Sequence, residues 1–163
     1  MNLIAAADTN WGIGNNGKLL VSIPEDMKTF RRLTAGKTVI LGRKTLATFP
    51  QGKPLKDRRN IILTTDPSFR AEGADIAHSV EEALALCEGE EPDSLFVIGG
   101  ASIYRAFLPH CDTAYITRLD YAYAADAFMP DLDSDPAWEK VSESDEQTYF
   151  DLIYTFDKYR RIR

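Results

Sequence analysis

A carboxylate on the apolar face of a predicted helix is the first residue whose position indicates chemistry. Residues 22–34 read SIPEDMKTFRRLT, and a turn of about 100° per residue gathers their apolar side chains into one stripe. The stripe consists of Ile23, Met27, Phe30 and Leu33, and Asp26 falls within it. Burying an ionised carboxylate is costly, and desolvation raises the pKa of an aspartate toward the range of proton exchange. We therefore interpret Asp26 as a functional acid; the alternative is a second charge at the helix N-terminus beside Glu25.

Two further stretches could hold a phosphate, each at the end of a predicted strand. In VILGRKT (39–45), two cations and a hydroxyl follow Gly42, namely Arg43, Lys44 and Thr45. Arginine can bind phosphate through paired hydrogen bonds, and an arginine here favours the phosphorylated ribose of NADP over NAD. In VIGGASIYRAF (97–107), a glycine pair precedes a helix whose first N–H groups favour an anion. A solvated basic loop and a tight strand–helix turn are the respective alternatives.

The stretch GIGNNG (12–17) matches the letters of a dinucleotide-binding fingerprint, G-x-G-x-x-G. That fingerprint needs its third glycine to open a helix, whereas Pro24 places the next helix start later. An acidic residue should also end the second strand, and Gly42-Arg43 stands there instead. We therefore predict a mobile Gly/Asn-rich loop over a site rather than a Rossmann turn.

Other candidate residues give weaker signals. Arg58 or Arg59 could bind an anionic tail of a substrate, and a charged surface turn is an equal alternative. His78 and His110 are isolated, without a cysteine or carboxylate at ligand spacing, so the sequence predicts no metal site. No nucleophile–base pair supports covalent catalysis.

Short apolar runs alternate with helix-like stretches along the chain. Strands are predicted at 2–7, 38–41, 60–64, 95–99 and 114–119, and helices at 23–34, 79–88 and 101–108. Ser22 and Glu25 have the spacing of a capping box, and Ser79 is predicted to cap its helix. Continuous apolar strands and the alternation of strands with helices favour a parallel sheet that is buried on both faces. Residues 138–161 have two strand-like halves without a helix between them, which predicts an antiparallel finish.

These elements predict one α/β domain over residues 1–163, with a mostly parallel central sheet, an antiparallel C-terminal edge strand and helices on both faces. Such sheets bind ligands at the carboxyl ends of their strands. The net charge of −6 disfavours a nucleic-acid or anionic-membrane surface. Two cysteines without framework spacing, and an N-terminus that lacks signal-peptide features, favour the cytoplasm.

Together these stretches resemble the dihydrofolate reductase family. The resemblance covers nearly the whole chain, in the order and at the spacing of that family, through LIAAAD, WGIGNNG, IPEDMKTFRRLT, VILGRKT, PLKDRRNIILT, VIGGASIY, AYITRLD and ADAFMP. It implies NADPH-dependent reduction of 7,8-dihydrofolate to tetrahydrofolate, with hydride transfer from nicotinamide C4 to pterin C6 and protonation at N5. A reductase of riboflavin synthesis on a related fold and a non-catalytic nucleotide-binding module are the alternatives.

The resemblance also implies a role for each matching residue. Asp26 would face the pterin and promote protonation of N5, Thr117 would bond to Asp26, and Tyr104 would complete the catalytic set beside the nicotinamide. Arg58 would hold the glutamate α-carboxylate of the substrate. The other substrate-binding residues would be Ile4, Ala5, Met27, Phe30, Phe49, Leu55 and Ile98. The cofactor-binding residues would be Ala6, Ile13, Gly42, Arg43, Lys44, Thr45, Leu63, Thr64, Thr65, Gly99, Gly100, Ala101, Ser102, Ile103 and Tyr104. Asp126 would help to hold the GIGNNG loop closed.

One position departs from the family pattern. The family often carries a tryptophan five residues before the acid, and Val21 occupies that position here. Valine packs but cannot donate a hydrogen bond to a water beside Asp26, which calls into question the water route for the proton and the fit of antifolate inhibitors that contact the tryptophan. The expected partners are the small-molecule substrate and antifolate inhibitors, without nucleic acid or membrane. No interface signal argues against a monomer.

Overall fold

The computed structural model describes all residues of the chain, Met1–Arg163, and is built around a nine-stranded sheet. The strands are β1 Asn2–Ala7, β2 Gly12–Asn15, β3 Lys18–Leu19, β4 Thr38–Gly42, β5 Arg59–Leu63, β6 Ala74–Ala77, β7 Leu95–Gly99, β8 Thr113–Leu119, β9 Ala127–Phe128, β10 Trp138–Glu143, β11 Gln147–Tyr149 and β12 Leu152–Arg161. The α-helices are α1 Pro24–Thr34, α2 Arg43–Leu46, α3 Val80–Leu86 and α4 Ala101–Phe107. The large sheet has the order β10-β12-β8-β1-β7-β4-β5-β6 with β11 paired to β12, and β3-β2-β9 form a separate small sheet.

The large sheet is parallel over most of its width. Strands β8, β1, β7, β4, β5 and β6 run parallel to their neighbours, whereas β12 is antiparallel to β8 and to β10. Every residue of β4 and of β7 is buried, as continuous apolar strands in a parallel sheet should be. The predicted fold class is therefore confirmed. The C-terminal strand β12 lies inside the sheet, and β10 forms the antiparallel edge.

Helices cover both faces of the sheet, because alternate strand residues point to opposite sides. Leu3, Ile40 and Val97 belong to a cluster of 20 buried residues, which also contains Ala83 of α3 and Phe107 of α4. The residues next to them in sequence point the other way and belong to a second cluster, with Ile4, Val39, Leu41, Phe96 and Ile98 among its members. Phe30 and Leu33 of α1 pack against this second cluster. Asp26, which belongs to α1, therefore lies on this second side of the sheet.

The start of α1 differs from the prediction by one residue. Pro24 occupies the first helical turn and Ile23 is the N-cap residue, with no side chain bonded to the helix N-terminus. The predicted Ser22–Glu25 capping box is therefore wrong. Proline suits this position because it has no N–H to satisfy, and Ile23 is 2% exposed and packs with Leu119 and Tyr154. In α3, by contrast, Ser79 caps the helix as predicted, accepting from the Glu82 N–H at 3.0 Å.

The GIGNNG stretch forms part of a β-hairpin rather than an irregular loop. β2 and β3 pair as antiparallel strands, and β9 pairs with the other side of β2. Asn16 and Gly17, at the turn, have φ values of 53° and 76°, as a two-residue Asn-Gly hairpin turn requires. The expected exclusion of a Rossmann turn holds, since no helix follows the third glycine. Strand β6 was not predicted, because it is short, lies at the sheet edge and has only one buried residue.

Two remaining expectations concern the thiols and the membrane. Cys87 and Cys111 are both buried and unpaired, and burial raises the pKa of the Cys111 thiol to about 12. None of the helices has the length and apolar character needed to cross a bilayer.

Candidate active site

The two stretches predicted to hold phosphate meet at one edge of the sheet. Helix α2 begins at Arg43 directly after β4, and α4 begins at Ala101 one residue after β7. Strands β4 and β7 are neighbours, and Leu41 lies opposite Gly99 where both strands end. Because parallel strands share their carboxyl edge, both helix starts lie on the ligand side of the sheet.

Asp26 is half-buried in the first turn of α1 and is held by the sheet. Thr117, buried in β8, donates from Oγ1 to Oδ1 of Asp26 at 2.6 Å. Burial raises the pKa of the Asp26 carboxyl above its ordinary value of 3.8, and the hydrogen bond from Thr117 offsets part of that rise. The neighbouring Glu25 points to solvent and pairs with Lys28 at 3.2 Å. Asp26 thus lies on the apolar side of α1, whereas Glu25 lies on the solvent side of the helix N-terminus, where a negative charge is favourable.

An apolar wall adjoins Asp26. Five of the residues predicted to line a substrate pocket belong to one packed group, namely Ile4, Phe30, Phe49, Leu55 and Ile98. Met27 follows Asp26 directly and is 40% exposed, so it does not pack into the core as a residue of the apolar stripe would. Ala5 packs against the cluster on the opposite face of the sheet. The wall therefore combines buried side chains with an exposed methionine beside the acid.

Arg58 and Arg59 differ sharply in what they contact. Arg58 donates from Nη1 to Thr34 Oγ1 at 3.0 Å and from Nε to the Lys56 carbonyl at 2.9 Å, without an acidic partner. Burial lowers the pKa of Arg58, Asp57 raises it and Arg31 lowers it further. Arg59 is committed to Asp75 at 2.8 Å and to Glu90 at 2.7 Å. Of the two candidates for an anionic tail, only Arg58 is available.

Glycines bring the ends of β4 and β7 unusually close to their neighbours. Gly99 has φ of 126°, and a Cβ built on it would lie 3.3 Å from the Tyr104 hydroxyl. A Cβ on Gly42 would meet Ile103 at 3.1 Å, and one on Gly100 would meet Thr45 Oγ1 at 3.3 Å. Tyr104 is itself buried and donates to the Ile4 carbonyl at 2.7 Å, which joins α4 to β1. The result is a side-chain-free cradle beside the N-terminus of α4.

The two cations at this edge, Arg43 and Lys44, differ in whether they have a partner within the chain. Arg43 pairs with Asp66 at 3.1 Å, and its guanidinium lies 4.5 Å from the centre of the Phe69 ring. Hydrogen bonds from Ser68, with a smaller contribution from Arg43, lower the pKa of Asp66. Lys44 is exposed and makes no ion pair. Asp66 and Phe69 were not predicted as neighbours of Arg43, because both follow β5 in sequence and only the fold brings them to Arg43.

The other predicted cofactor residues lie on β1, on the hairpin, at the end of β5 and at the start of α4. Leu63 ends β5, and Thr64 and Thr65 follow it where β5 borders β4. The Thr64 carbonyl lies 2.9 Å from Nδ1 of His78, a contact that the sequence did not indicate. Ala6 lies in β1 opposite Thr117 of β8, and Ile13 of the hairpin packs against the larger core cluster. Ser102 is exposed in the first turn of α4.

The hairpin is fastened to a distant part of the chain. Asp126 accepts from the Asn16 N–H through Oδ2 at 3.0 Å, and its own N–H donates to the Gly14 carbonyl at 3.0 Å. The side-chain amide of Asn15 donates to the Ala124 carbonyl at 2.9 Å. The contact expected between Asp126 and the hairpin is therefore present. Val21, beyond the hairpin, packs against the cluster of Ile23, Leu119 and Tyr154 and offers no donor toward Asp26.

The glycine cradle lies at the carboxyl edge of the sheet, and Thr117 of β8 holds the half-buried Asp26. The apolar wall packs beneath α1, and the free Arg58 lies at the far end of that helix, against Thr34. These features define an α/β protein of the class that binds a phosphorylated cofactor and a second ligand side by side at the carboxyl ends of parallel strands. No group of three or more His, Cys, Asp or Glu side chains is placed to hold a metal ion.

Comparison with known proteins identifies the family within that class. A family profile for dihydrofolate reductase matches residues 1–161. Dihydrofolate reductases from Staphylococcus haemolyticus and Bacillus subtilis are 39% and 33% identical, over 100% and 99% of this chain and 96% and 94% of their own length. A solved dihydrofolate reductase from Enterococcus faecalis, complexed with NADP(H) and RAB-propyl, is 33% identical with a TM-score of 0.85, covering 99% of this chain and 96% of that chain.

The chain belongs to the dihydrofolate reductase family. It is an NADPH-dependent oxidoreductase that reduces 7,8-dihydrofolate to tetrahydrofolate. A reductase of riboflavin synthesis, which was the alternative on a related fold, is not favoured.

Proposed function

We propose that Asp26 is the acid of this reduction, promoting protonation of pterin N5 while hydride reaches C6. The observation that carries this proposal is the half-buried carboxyl held by Thr117 on an otherwise apolar face, with a raised pKa. A carboxyl group of raised pKa keeps a protonated fraction closer to neutral pH, where a general acid must work. When ionised, the same group can accept hydrogen bonds from the 2-amino group and N3 of the pterin.

Tyr104 supports this chemistry as a positioning residue. Its hydroxyl is buried and donates to the Ile4 carbonyl, and burial raises the pKa of the phenol well above its ordinary range. A phenol of such high pKa keeps its proton at neutral pH and therefore does not deliver it to substrate. Tyr104 instead holds β1 and α4 together where the pterin and nicotinamide rings would meet.

The substrate would lie along the apolar wall with its charged tail at Arg58. That guanidinium has no carboxylate partner in the chain, so the substrate α-carboxylate can bind it through paired hydrogen bonds. The pocket-lining residues would be Ile4, Ala5, Met27, Phe30, Phe49, Leu55 and Ile98. Exposure of Met27 beside a half-buried acid supports this placement, because an apolar ligand would cover the methionine.

The residues at the strand edge fit NADPH. The Gly42–Gly99–Gly100 cradle lacks side chains where backbone must approach a pyrophosphate, and α4 would present the N–H groups of Ala101, Ser102 and Ile103. The adenosine and phosphate end would meet Arg43, Lys44, Thr45, Leu63, Thr64 and Thr65, and Ala6, Ile13 and Tyr104 would flank the nicotinamide. When bound, NADPH supplies the hydride. An incoming phosphate must compete with Asp66 for Arg43, whereas Lys44 is free.

Several broader properties belong to the same proposal. Residues 1–163 would act as one domain and as a monomer in the cytoplasm, with antifolate inhibitors as further ligands of the apolar wall. With Val21 beside the acid, a water that carries the proton must be held without an indole donor. Inhibitors that rely on contact with a tryptophan at this position would bind less tightly than to relatives that have it.

The test follows NADPH absorbance after addition of dihydrofolate. We expect rapid oxidation by the wild-type protein and a loss of about 100-fold or more for Asp26→Asn at neutral pH, in the range of a general acid's contribution. Lower pH or a pre-protonated substrate should restore part of the Asp26→Asn rate. Glu25→Gln is the matched control, because it removes the adjacent carboxylate, which faces solvent, and should leave the rate unchanged.

The outcomes separate the parts of the proposal. Equal rates for wild type and Asp26→Asn would contradict the acid assignment while leaving the reductase activity intact. A comparable loss for Glu25→Gln would show that the helix terminus, and not the half-buried position, matters.

A further inference from the structure

Asp8 is a fully buried carboxylate for which the scheme above has no role. It is 0% exposed and follows directly after β1, the strand that carries Ile4, Ala5 and Ala6. Its charge is not paired with a cation. Arg118 donates to the main-chain carbonyl of Asp8 at 3.3 Å and forms its ion pair with Asp133 at 2.8 Å. Burying a carboxylate in this way requires compensation by hydrogen bonds.

That compensation comes from backbone N–H groups on two separate segments. Oδ1 of Asp8 accepts from the N–H groups of Asn10 at 2.9 Å and Gly12 at 2.8 Å. Oδ2 accepts from the N–H of Tyr123 at 2.9 Å. Gly12 opens β2 of the hairpin, and Tyr123 lies between β8 and β9, three residues before the Asp126 that fastens the hairpin turn. One carboxylate thus ties together the end of β1, the entry to the hairpin and the 120–126 segment.

At Gly12 the hairpin and the 120–126 segment are in close contact, with no space for a side chain. A Cβ on Gly12 would lie 2.7 Å from the Cβ of Ala125 and 3.0 Å from Oδ1 of Asp8. A real side chain there would have to push the 120–126 segment away from the hairpin. We call the four residues Asp8, Gly12, Tyr123 and Ala125 the Asp8 joint. With the Asp126–Asn16 contact at the other end, the hairpin is held at its base and at its turn.

We infer that Asp8 is a positioning residue for the reduction: through the Asp8 joint it sets the hairpin, and Ile13 in it, against the nicotinamide position. The inference rests on the proposed placement of the cofactor beside Ile13. Asp8 touches neither ligand and acts through the backbone of Gly12 and Tyr123. Its loss should therefore affect the cofactor and the hydride step, and spare the substrate contacts at Asp26 and Arg58.

Asp8→Asn tests this inference with a change of almost no volume. An amide has one oxygen and one NH₂ group. If the oxygen serves Asn10 and Gly12, the NH₂ faces the Tyr123 N–H, and two donors then oppose each other. We expect single-turnover hydride transfer to fall and the Kd for NADPH to rise, each about tenfold, as for loss of one hydrogen bond to a buried charge. The Kd for dihydrofolate should change less than about twofold by the same argument.

Asp131→Asn is the matched control. Asp131 also accepts two backbone N–H groups through one oxygen, from Asp133 at 3.0 Å and Ser134 at 3.1 Å. Its other oxygen accepts from the Ser134 hydroxyl at 2.8 Å, and a hydroxyl can accept from an amide NH₂ in return. The same substitution should therefore leave NADPH binding and hydride transfer unchanged.

Gly12→Ala provides a second variant in case Asp8→Asn folds poorly. It keeps the carboxylate and separates the hairpin from the 120–126 segment by contact with Ala125. We expect the same signature as for Asp8→Asn, and partial recovery in Gly12→Ala/Ala125→Gly, because the shortest contact is removed. If the role of the joint were merely structural, Gly12→Ala would lower stability and leave hydride transfer unchanged, and Ala125→Gly would have no loss of hydride transfer to recover.

The result that would overturn the inference is a lower melting temperature for Asp8→Asn and Gly12→Ala, with hydride transfer and NADPH affinity unchanged well below that temperature. Equal weakening of NADPH and dihydrofolate binding would overturn it as well, since it would indicate general loosening. If the proposed function itself were wrong, the wild-type protein would fail to oxidise NADPH with dihydrofolate, which is a separate observation.

Discussion

The proposed substrate side and the proposed cofactor side of the site differ in whether side chains or bare backbone form them. On the substrate side, side chains form the binding groups: the Asp26 carboxyl held by Thr117 at 2.6 Å, the apolar wall and the free guanidinium of Arg58. At the ends of β4 and β7, Gly42, Gly99 and Gly100 leave the backbone free of side chains, and each glycine lies in close contact with its neighbours. Loss of a functional group should therefore weaken binding or catalysis most on the substrate side, whereas an added side chain should weaken binding most on the cofactor side.

The largest effect is expected at Arg58, on the proposed substrate side. Arg58→Leu should raise the KM for dihydrofolate about 30-fold with kcat nearly unchanged, because it removes a charge-assisted contact to the substrate tail. Steady-state kinetics measure this directly. Arg59→Leu is the control: its partners are Asp75 and Glu90, so it should cost about 1 kcal/mol of stability and leave KM alone. Similar KM values for both variants would contradict the assignment of Arg58.

On the cofactor side, Gly99→Ala should weaken NADPH binding about tenfold or more, since a Cβ at φ of 126° is strained and meets the Tyr104 hydroxyl at 3.3 Å. Fluorescence titration with NADPH measures the effect. Gly36→Ala is a control for strain alone, because Gly36 has φ of 73° and nothing within 4 Å of its Cβ. It should lower stability without changing the NADPH affinity. An unaltered Kd for Gly99→Ala would show that the cradle tolerates a methyl group.

A smaller effect concerns stability and its dependence on pH. Burial raises the folded-state pKa of Asp26, so the ionised form is disfavoured in the folded protein. The cost accumulates as pH rises from the ordinary value of 3.8 to the folded-state pKa, and it is fully present above that pKa. The free energy of unfolding of Asp26→Asn should therefore exceed that of wild type at neutral pH, by about 1.4 kcal/mol for each pH unit by which burial raises the Asp26 pKa. The difference should shrink as pH falls toward the ordinary value of 3.8. Urea unfolding at several pH values would show the opposite trend if Asp26 were stabilised as a carboxylate.

The smallest effect is expected at Thr117. Thr117→Val keeps the shape and removes the hydrogen bond that lowers the Asp26 pKa, so this pKa should rise further. The pH at which hydride transfer begins to fall should then move upward by less than about one unit. A downward shift would mean that Thr117 bonds the protonated acid more strongly than the carboxylate. Thr155→Val, in β12, changes a hydroxyl bonded to Asp157 and not to Asp26, and should leave the profile in place.

The sequence predicted those features that depend on local pattern. Continuous apolar runs predicted β4 and β7, which are buried throughout, and the helical stripe predicted the position of Asp26. Features set by distant partners were not predictable in this way. Arg43 is paired with Asp66 only because the chain returns after β5, and the hairpin at residues 12–19 has strands too short for alternation to reveal. The Asn16-Gly17 turn was a usable signal for that hairpin.

The position of β12 has a consequence for the newly made chain. This strand is synthesised after every other strand of the sheet, yet it lies between β8 and β10 and not at the rim of the sheet. Until residues 152–161 emerge, β8, with Thr117 in it, has one unpaired side and an open row of backbone donors and acceptors. A message truncated before codon 152 would leave β8 exposed to aberrant strand pairing, even though every residue proposed to act in catalysis had been translated.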